Sequence, residues 1–233
     1  IDFLGDCLPF NASSGQTYYR PFPGHFFQIL GQAYRKLCSD NVEPAVLIID
    51  ELSHGDATAI FGSCLLLLNR DDDGWSSYPL NLNERFLGCL LHAMGYALIL
   101  TSKGLLVEEM KIELFWQKVR QELAQKENLK GLHLVDYLSV GKIVLPPNLC
   151  LLATANTGQL AENLDATFVR CWDWEYLSPP GFTTSEPPQE LRDVKIIAFF
   201  ETIQWSKFVV NLNEFISFHR RQLGQTEDKS IGW

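Results

Sequence analysis

Apolar residues along the chain fall into a few short unbroken runs and several longer stripes of helical spacing, with Gly, Pro and acids between them. Phe3 to Pro23 mixes aromatics with Asn11, Ser13, Ser14 and Gly15 and reads as a loop feeding a helix. After Gly24 that helix is carried by Phe27, Leu30, Tyr34 and Leu37, which share a face at three- and four-residue spacing. Pro44 opens Ala45-Val46-Leu47-Ile48-Ile49, a run that stops at two acids, Asp50 and Glu51. A continuous apolar run of this length suits a parallel strand buried on both faces. Gly55 and Asp56 then precede a helix from Ala57 to Leu68, with Ile60, Cys64, Leu67 and Leu68 on one side and Asp56 as its N-cap.

Asp71-Asp72-Asp73-Gly74 ends that helix in a solvated turn, since a Ca²⁺ loop needs ligands spread over about 12 residues. Beyond Trp75 to Leu82 the pattern predicts two helices, about Glu84 to Leu100 and about Leu105 to Glu127, separated by Ser102-Lys103-Gly104. Ile112, Phe115, Trp116, Val119 and Leu123 form the apolar stripe of the second. Gly141 to Leu145 predicts a short strand, Leu149 to Thr154 a buried one, and Cys171 to Tyr176 a third, aromatic strand. From Glu186 the pattern turns helical, over Leu191 to Phe200 and about Trp205 to Leu223. Strands alternating with helices, followed by a helical tail, predict an α/β fold with a parallel sheet and a C-terminal α-helical lid. Leu82 to Val140 is too long for a connection of about 4 to 6 residues and reads as a helical insert, packed on the core or facing a partner.

Composition narrows the class. With 233 residues and 46% apolar content the chain can bury a core, which rules out disorder. Nineteen Lys and Arg against 28 Asp and Glu give a net charge of −9, so contact with DNA has to be local or made by another region. The longest apolar run, Phe86 to Leu100, has 15 residues and includes His92. It is shorter than the roughly 20 residues of a bilayer crossing, and no membrane span is expected. His92 itself is expected in the core or at an interface. The chain begins at Ile1 and ends on Ile231-Gly232-Trp233, and reads as a segment of something longer. Six cysteines lack any Cys-x-x-Cys or zinc spacing, and most lie in apolar runs, Cys64 and Cys150 among them, where a free thiol acts as a small hydrophobe. A reducing, cytoplasmic location is the economical expectation.

The chemistry concentrates at two strand ends. An apolar strand that delivers Asp50 and Glu51 at its carboxyl end has the form used to place an acid for Mg²⁺ and a glutamate that polarises water beside a nucleotide. Thr154-Ala155-Asn156 closes the second buried strand, and Asn156 is the candidate to hydrogen-bond a γ-phosphate or the attacking water. Each feature alone has a plainer account, a solvated turn for the acids and an Asx-turn for Asn156. Together they favour phosphate chemistry.

Val46-Leu47-Ile48-Ile49-Asp50-Glu51-Leu52-Ser53-His54-Gly55-Asp56, with Ile60-Phe61-Gly62, resembles the McrB-type AAA+ NTPases, the motor subunits of modification-dependent restriction systems. So do Leu145-Pro146-Pro147-Asn148-Leu149, the turn from Thr154 to Thr157 and Trp172-Asp173-Trp174-Glu175-Tyr176, while Ile231-Gly232 is similar to the start of a sensor-2 segment. The resemblance implies a P-loop NTPase AAA+ core over about 1–180 with a helical insert at about 82–140, and an α-helical lid over 181–233. It implies that Asp50 matches the Mg²⁺-associated acid, Glu51 the catalytic glutamate and Asn156 the sensor-1 Asn. Arg170 falls within the segment from which an arginine reaches a neighbouring subunit's nucleotide. The implied cofactors are Mg²⁺ with GTP or ATP. The implied partners are a homo-oligomeric, hexameric ring and an McrC-like nuclease subunit, with DNA met by other domains, in defence against foreign DNA.

Four departures bear on that expectation. His54 stands where the family carries an arginine, and a neutral imidazole lacks the fixed charge and planar fork of guanidinium. Arg170 stands alone before Cys171 where the family has two or three arginines, and Gly158 to Asn163 is one residue shorter. The only Gly-Lys, Gly141-Lys142, lacks the upstream Gly of G-x-x-x-x-G-K-[ST], so the phosphate-binding loop is expected upstream of Ile1. These features keep two alternatives open, a catalytically degenerate AAA+ scaffold and a MoxR-like protein-remodelling ATPase.

Overall fold

The aromatic stretch at the start of the chain forms a β-hairpin, which corrects the expected loop over Phe3 to Pro23. Strand β1 (Gly5–Asn11) pairs antiparallel with β2 (Thr17–Pro23). Three prolines hide the alternation in the sequence. Pro9 lies on an edge strand, and Pro21 and Pro23 lie beyond Tyr18 and Tyr19, the β2 residues that pair with the next strand, so few ladder bonds are lost. The computed structural model describes residues 3–11, 17–39, 43–101, 104–156, 164–176, 194–198 and 201–219. They belong to two compact units, one within 1–52 and 56–154, the other within 53–55 and 155–233.

In the first unit, α1 (His25–Cys38) follows the helical stripe and buries Phe26, Phe27, Leu30, Ala33 and Tyr34. Strand β3 (Ala45–Ile49) comes next, then a 3₁₀ turn (Leu52–His54) whose Ser53 and His54 belong to the second unit, and then α2 (Ala57–Phe61) and a second 3₁₀ stretch (Gly62–Leu68). Asp56 caps α2 as expected, accepting from Ala59 N at 2.9 Å. The turn at Asp71 to Asp73 is exposed, and Arg70 ties it down by donating to Gly74 O, Pro146 O and Leu149 O at 2.9, 3.1 and 2.7 Å. Burial lowers the Arg70 pKa, and these carbonyls replace the water it loses.

The segment expected as a helical insert is mixed. Strand β4 (Leu80–Asn81) leads to α3 (Glu84–Ala93), which stops well before Leu100 because Gly95 takes φ +94° and turns the chain. Leu98 to Leu100 then continues as strand β5 (Leu98–Thr101), followed by β6 (Gly104–Val107), β7 (Met110–Lys111), α4 (Ile112–Gln125) and α5 (Leu129–Leu138). Strands β5, β6 and β7 extend the hairpin into an antiparallel sheet of order β1-β2-β5-β6-β7. Leu90, Leu91, Phe115, Trp116 and Val119 turn inward to one core with α1, so this apolar surface covers the unit's own interior. His92 is exposed at the last turn of α3 and so is not in the core, because that helix's buried face is taken by Leu87, Gly88, Cys89, Leu90 and Leu91.

Strand β8 (Lys142–Ile143), shorter than expected, pairs antiparallel with β4. Strand β9 (Leu149–Ala153) pairs parallel with β3, from Ala45 opposite Leu149 to Ile49 opposite Ala153. Parallel pairing among the described residues is confined to these two strands. Helix α1 covers one face of the pair, while Val46, Ile48 and Leu152 on the other are 45%, 67% and 58% exposed. The expectation of burial on both faces is corrected accordingly, and Cys150 is likewise exposed.

In the second unit, α6 (Ala166–Val169) is capped by Asp165, which accepts from Thr167 N at 2.6 Å. That backbone hydrogen bond, with one from the Thr167 side chain, holds the Asp165 carboxyl below its usual pKa. Cys171 to Tyr176 forms no strand: Trp174 Nε1 folds back to Val169 O at 2.8 Å, and Trp172 leans on buried Phe168. Where a helix was expected from Leu191, β10 (Lys195–Ala198) pairs antiparallel with β11 (Glu201–Gln204), and α7 (Trp205–Phe218) follows. Val209, Asn213 and Ile216 make its buried stripe. The expected core–lid boundary at 180, the shortened 158–163 stretch and Ile231-Gly232 lie outside the described residues. Among the described residues no helix is long and apolar enough to cross a membrane.

Candidate functional site

The site is built by the register of two strands. Because β3 and β9 run parallel with Ile49 opposite Ala153, the next residues, Asp50 and Thr154, meet where both strands end. Thr154 Oγ1 donates to Asp50 Oδ1 at 2.5 Å and accepts from Glu51 N at 2.9 Å, and Thr154 O accepts from Leu52 N at 2.7 Å. One threonine thus fixes an acid's side chain, the next acid's backbone and the exit of the chain. Glu51 takes φ +54°, an uncommon conformation for a residue with a side chain and one held here by these two flanking bonds. Asp50 and Glu51 are both exposed.

Thr154 is the residue that sequence reasoning passed over in favour of Asn156. The signal was present: two five-residue apolar runs of matched register, Ala45–Ile49 and Leu149–Ala153, place position 50 beside position 154. Asn156, two residues further on, belongs to the second unit, where its N–H donates to the buried Ser53 Oγ at 3.2 Å. His54 is exposed in the same unit. Arg170 follows α6 and is exposed. The structure therefore brings Asp50, Glu51 and Thr154 together within one unit, and carries Asn156, His54 and Arg170 on the other.

In chemical terms the first unit offers one carboxylate oriented by a hydroxyl, a second carboxylate on a fixed backbone, and solvent access to both. Among the described residues no three His, Cys, Asp or Glu side chains gather for a metal ion. Asp50 and Thr154 are nonetheless hard oxygen donors of the kind Mg²⁺ accepts one or two at a time, leaving its other positions to water and phosphate. A cavity of about 610 Å³, lined by Lys36, Pro44, Lys126, Lys130 and Asn148, opens at the opposite, amino ends of the two strands. No protein-family model matches this sequence, and no curated protein matches it either.

Proposed function

We propose that this chain carries the water-activating portion of an Mg²⁺-dependent AAA+ NTPase of the McrB type, with GTP or ATP as substrate. The observation that supports the reading most is the parallel β3–β9 pair, which delivers Asp50, Glu51 and Thr154 together at the carboxyl ends of neighbouring strands, where open α/β sheets bind ligands. In this reading Asp50, oriented by Thr154, assists Mg²⁺, and the ion when bound neutralises charge on the phosphate oxygens. Glu51 orients and polarises the attacking water, Asn156 senses the γ-phosphate, and Arg170 serves a neighbouring subunit's nucleotide. The phosphate-binding loop is assigned to sequence outside these 233 residues. The same reading carries a hexameric ring that drives an McrC-like nuclease in the cytoplasm, with DNA met by other domains or by the partner.

Glu51→Gln in the protein bearing its phosphate loop is the test. Nucleotide binding is expected to persist while GTP or ATP hydrolysis falls by about 10²-fold or more, because the amide keeps the shape and loses the base. Equal hydrolysis by parent and variant would remove Glu51 from its role. A second reading, a ring scaffold without turnover, is favoured by His54 in place of an arginine and by the solitary Arg170. It predicts that the parent binds nucleotide, assembles and hydrolyses neither GTP nor ATP.

A further inference from the structure

Two thiols far apart in sequence meet inside the first unit. Cys7 on edge strand β1 and Cys89 in the middle of α3 lie 82 positions apart, yet their sulfurs are 3.1 Å from each other. Both are buried, at 3% and 0% exposure. The Cys7 thiol faces Arg85 O at 3.1 Å, and the Cys89 thiol faces Asp6 O at the same distance. Each thiol has one proton to give. If both protons go to the carbonyls, two sulfurs are left with their lone pairs opposed; if one lies between the sulfurs, a carbonyl loses its thiol donor. Three contacts compete for two protons, and a covalent bond between the sulfurs ends the competition. Closing it requires an approach of about 1 Å, to the S–S length of roughly 2.05 Å.

We propose that Cys7 and Cys89 are an oxidisable dithiol, a modification site at which a hydroperoxide closes a disulfide that staples edge strand β1 to helix α3. The reaction is balanced with hydrogen peroxide as oxidant. The Cys7 thiolate attacks one peroxide oxygen; an S–O bond forms, the O–O bond breaks, and the departing hydroxide takes a proton to become water. The Cys89 sulfur then attacks the resulting sulfenic acid. The S–S bond forms, the S–O bond breaks, and hydroxide leaves with the Cys89 proton as a second water. Two thiols lose two electrons to one peroxide.

The assignment of roles has support. The hydrogen bond from Cys89 lowers the Cys7 pKa and, with a smaller lowering by the Arg85 charge, outweighs burial and the Asp6 charge, which raise it, whereas the same pairing and burial raise Cys89. Cys7 is therefore the thiol that gives up its proton more readily and attacks the peroxide, and Cys89 is the resolving thiol. Burial elsewhere pushes Cys38 up to about 11 and Cys64 up to about 12, leaving them poor nucleophiles. Among the described residues, the strand that carries Cys7 is paired on one side only, and local opening of such an edge admits a small oxidant. The pair has no third ligand to make it a metal site among the described residues.

The test begins with the chain carrying Cys150→Ser, which removes an exposed thiol prone to link molecules together. Folded protein is treated with hydrogen peroxide, alkylated and mapped by mass spectrometry. The proposal expects a Cys7–Cys89 linked peptide, the loss of two alkylatable thiols, and the return of both with dithiothreitol. The linked form should show an upward shift in Tm, since long loops gain most from closure. In Cys89→Ser, the reaction should stop at a Cys7 sulfenic acid that dimedone traps. Recovery of both cysteines as alkylated thiols after peroxide treatment, or oxidation of Cys7 to sulfinic acid without any link to Cys89, would overturn it. The mapping does not depend on the Cys89 variant folding.

Discussion

Tyr34 shows how one polar atom is accommodated where no water reaches. It lies on α1 with no exposed surface, and its hydroxyl donates to Val144 O at 2.5 Å and accepts from Val144 N at 3.2 Å. Burial raises its pKa, so the phenol remains neutral and keeps the proton that it donates. Val144 belongs to the irregular stretch between β8 and β9, where no ladder satisfies its backbone. Tyr34→Phe keeps the ring in the core and strands both backbone groups, an expected loss of about 1 to 3 kcal/mol. A denaturant midpoint unchanged from the parent would mean that water or a backbone shift replaces the hydroxyl. Thr154 does comparable work at the surface, and its hydroxyl links two acids that the chain itself places side by side.

Between elements, α1 and α3 approach closely. A Cβ on Gly31 would stand 2.7 Å from both Ala93 C and Ala93 Cβ, inside any tolerable contact. In a helix interior Ala is favoured over Gly by about 1 kcal/mol. The clash with a neighbouring helix end outweighs that gain, so Gly31→Ala should destabilise by roughly 1 to 3 kcal/mol in a denaturation experiment. A stabilised variant would show that the two helices can move apart without loss. The same two levels explain what could be read from the amino acids alone. Helix α1 and strands β3 and β9 were legible because each carries a single unmixed period, bounded by Gly24, Pro44 or Asp50. The boundary of α3 was not, since the apolar residues Leu98, Ile99 and Leu100 continue its run although the backbone has already reversed at Gly95. Ser102-Lys103-Gly104 reads as a break between helices, whereas the elements that flank it are β5 and β6. Asp50 and Glu51 stood out at the candidate site; Thr154 did not, because its partnership is a matter of register between strands about 100 residues apart.

For the first unit as a whole, buried and half-buried thiols and phenols set a limit on alkaline stability. Cys38 is raised from 9.0 to about 11 and Cys64 from 9.0 to about 12, both by burial, and Tyr96 from 10.0 to about 12, mainly by burial. In each case the folded state holds its proton at a pH where the unfolded chain has already released it. With more protons bound to the folded state, stability falls as pH rises. The contribution is fully present below about pH 9 and is lost progressively as pH climbs through the folded values. Within the Cys7–Cys89 pair, Cys89, raised by the pairing and by burial, adds to the decline above about pH 9, whereas Cys7, lowered, titrates below that pH and adds no slope there. Denaturation midpoints measured from neutral pH upward should therefore hold or rise slightly to about pH 9 and decline beyond it. Cys64→Ala separates this linkage from general alkaline damage. Removing the buried sulfur leaves a small cavity and lowers stability at neutral pH. It also removes one titrating group, so the decline between about pH 9 and 12 should become shallower than in the parent. Parallel profiles for the two proteins, offset by a constant amount, would show that Cys64 releases its proton over the same range in the folded and unfolded states and that burial of the core thiols does not govern the alkaline limit.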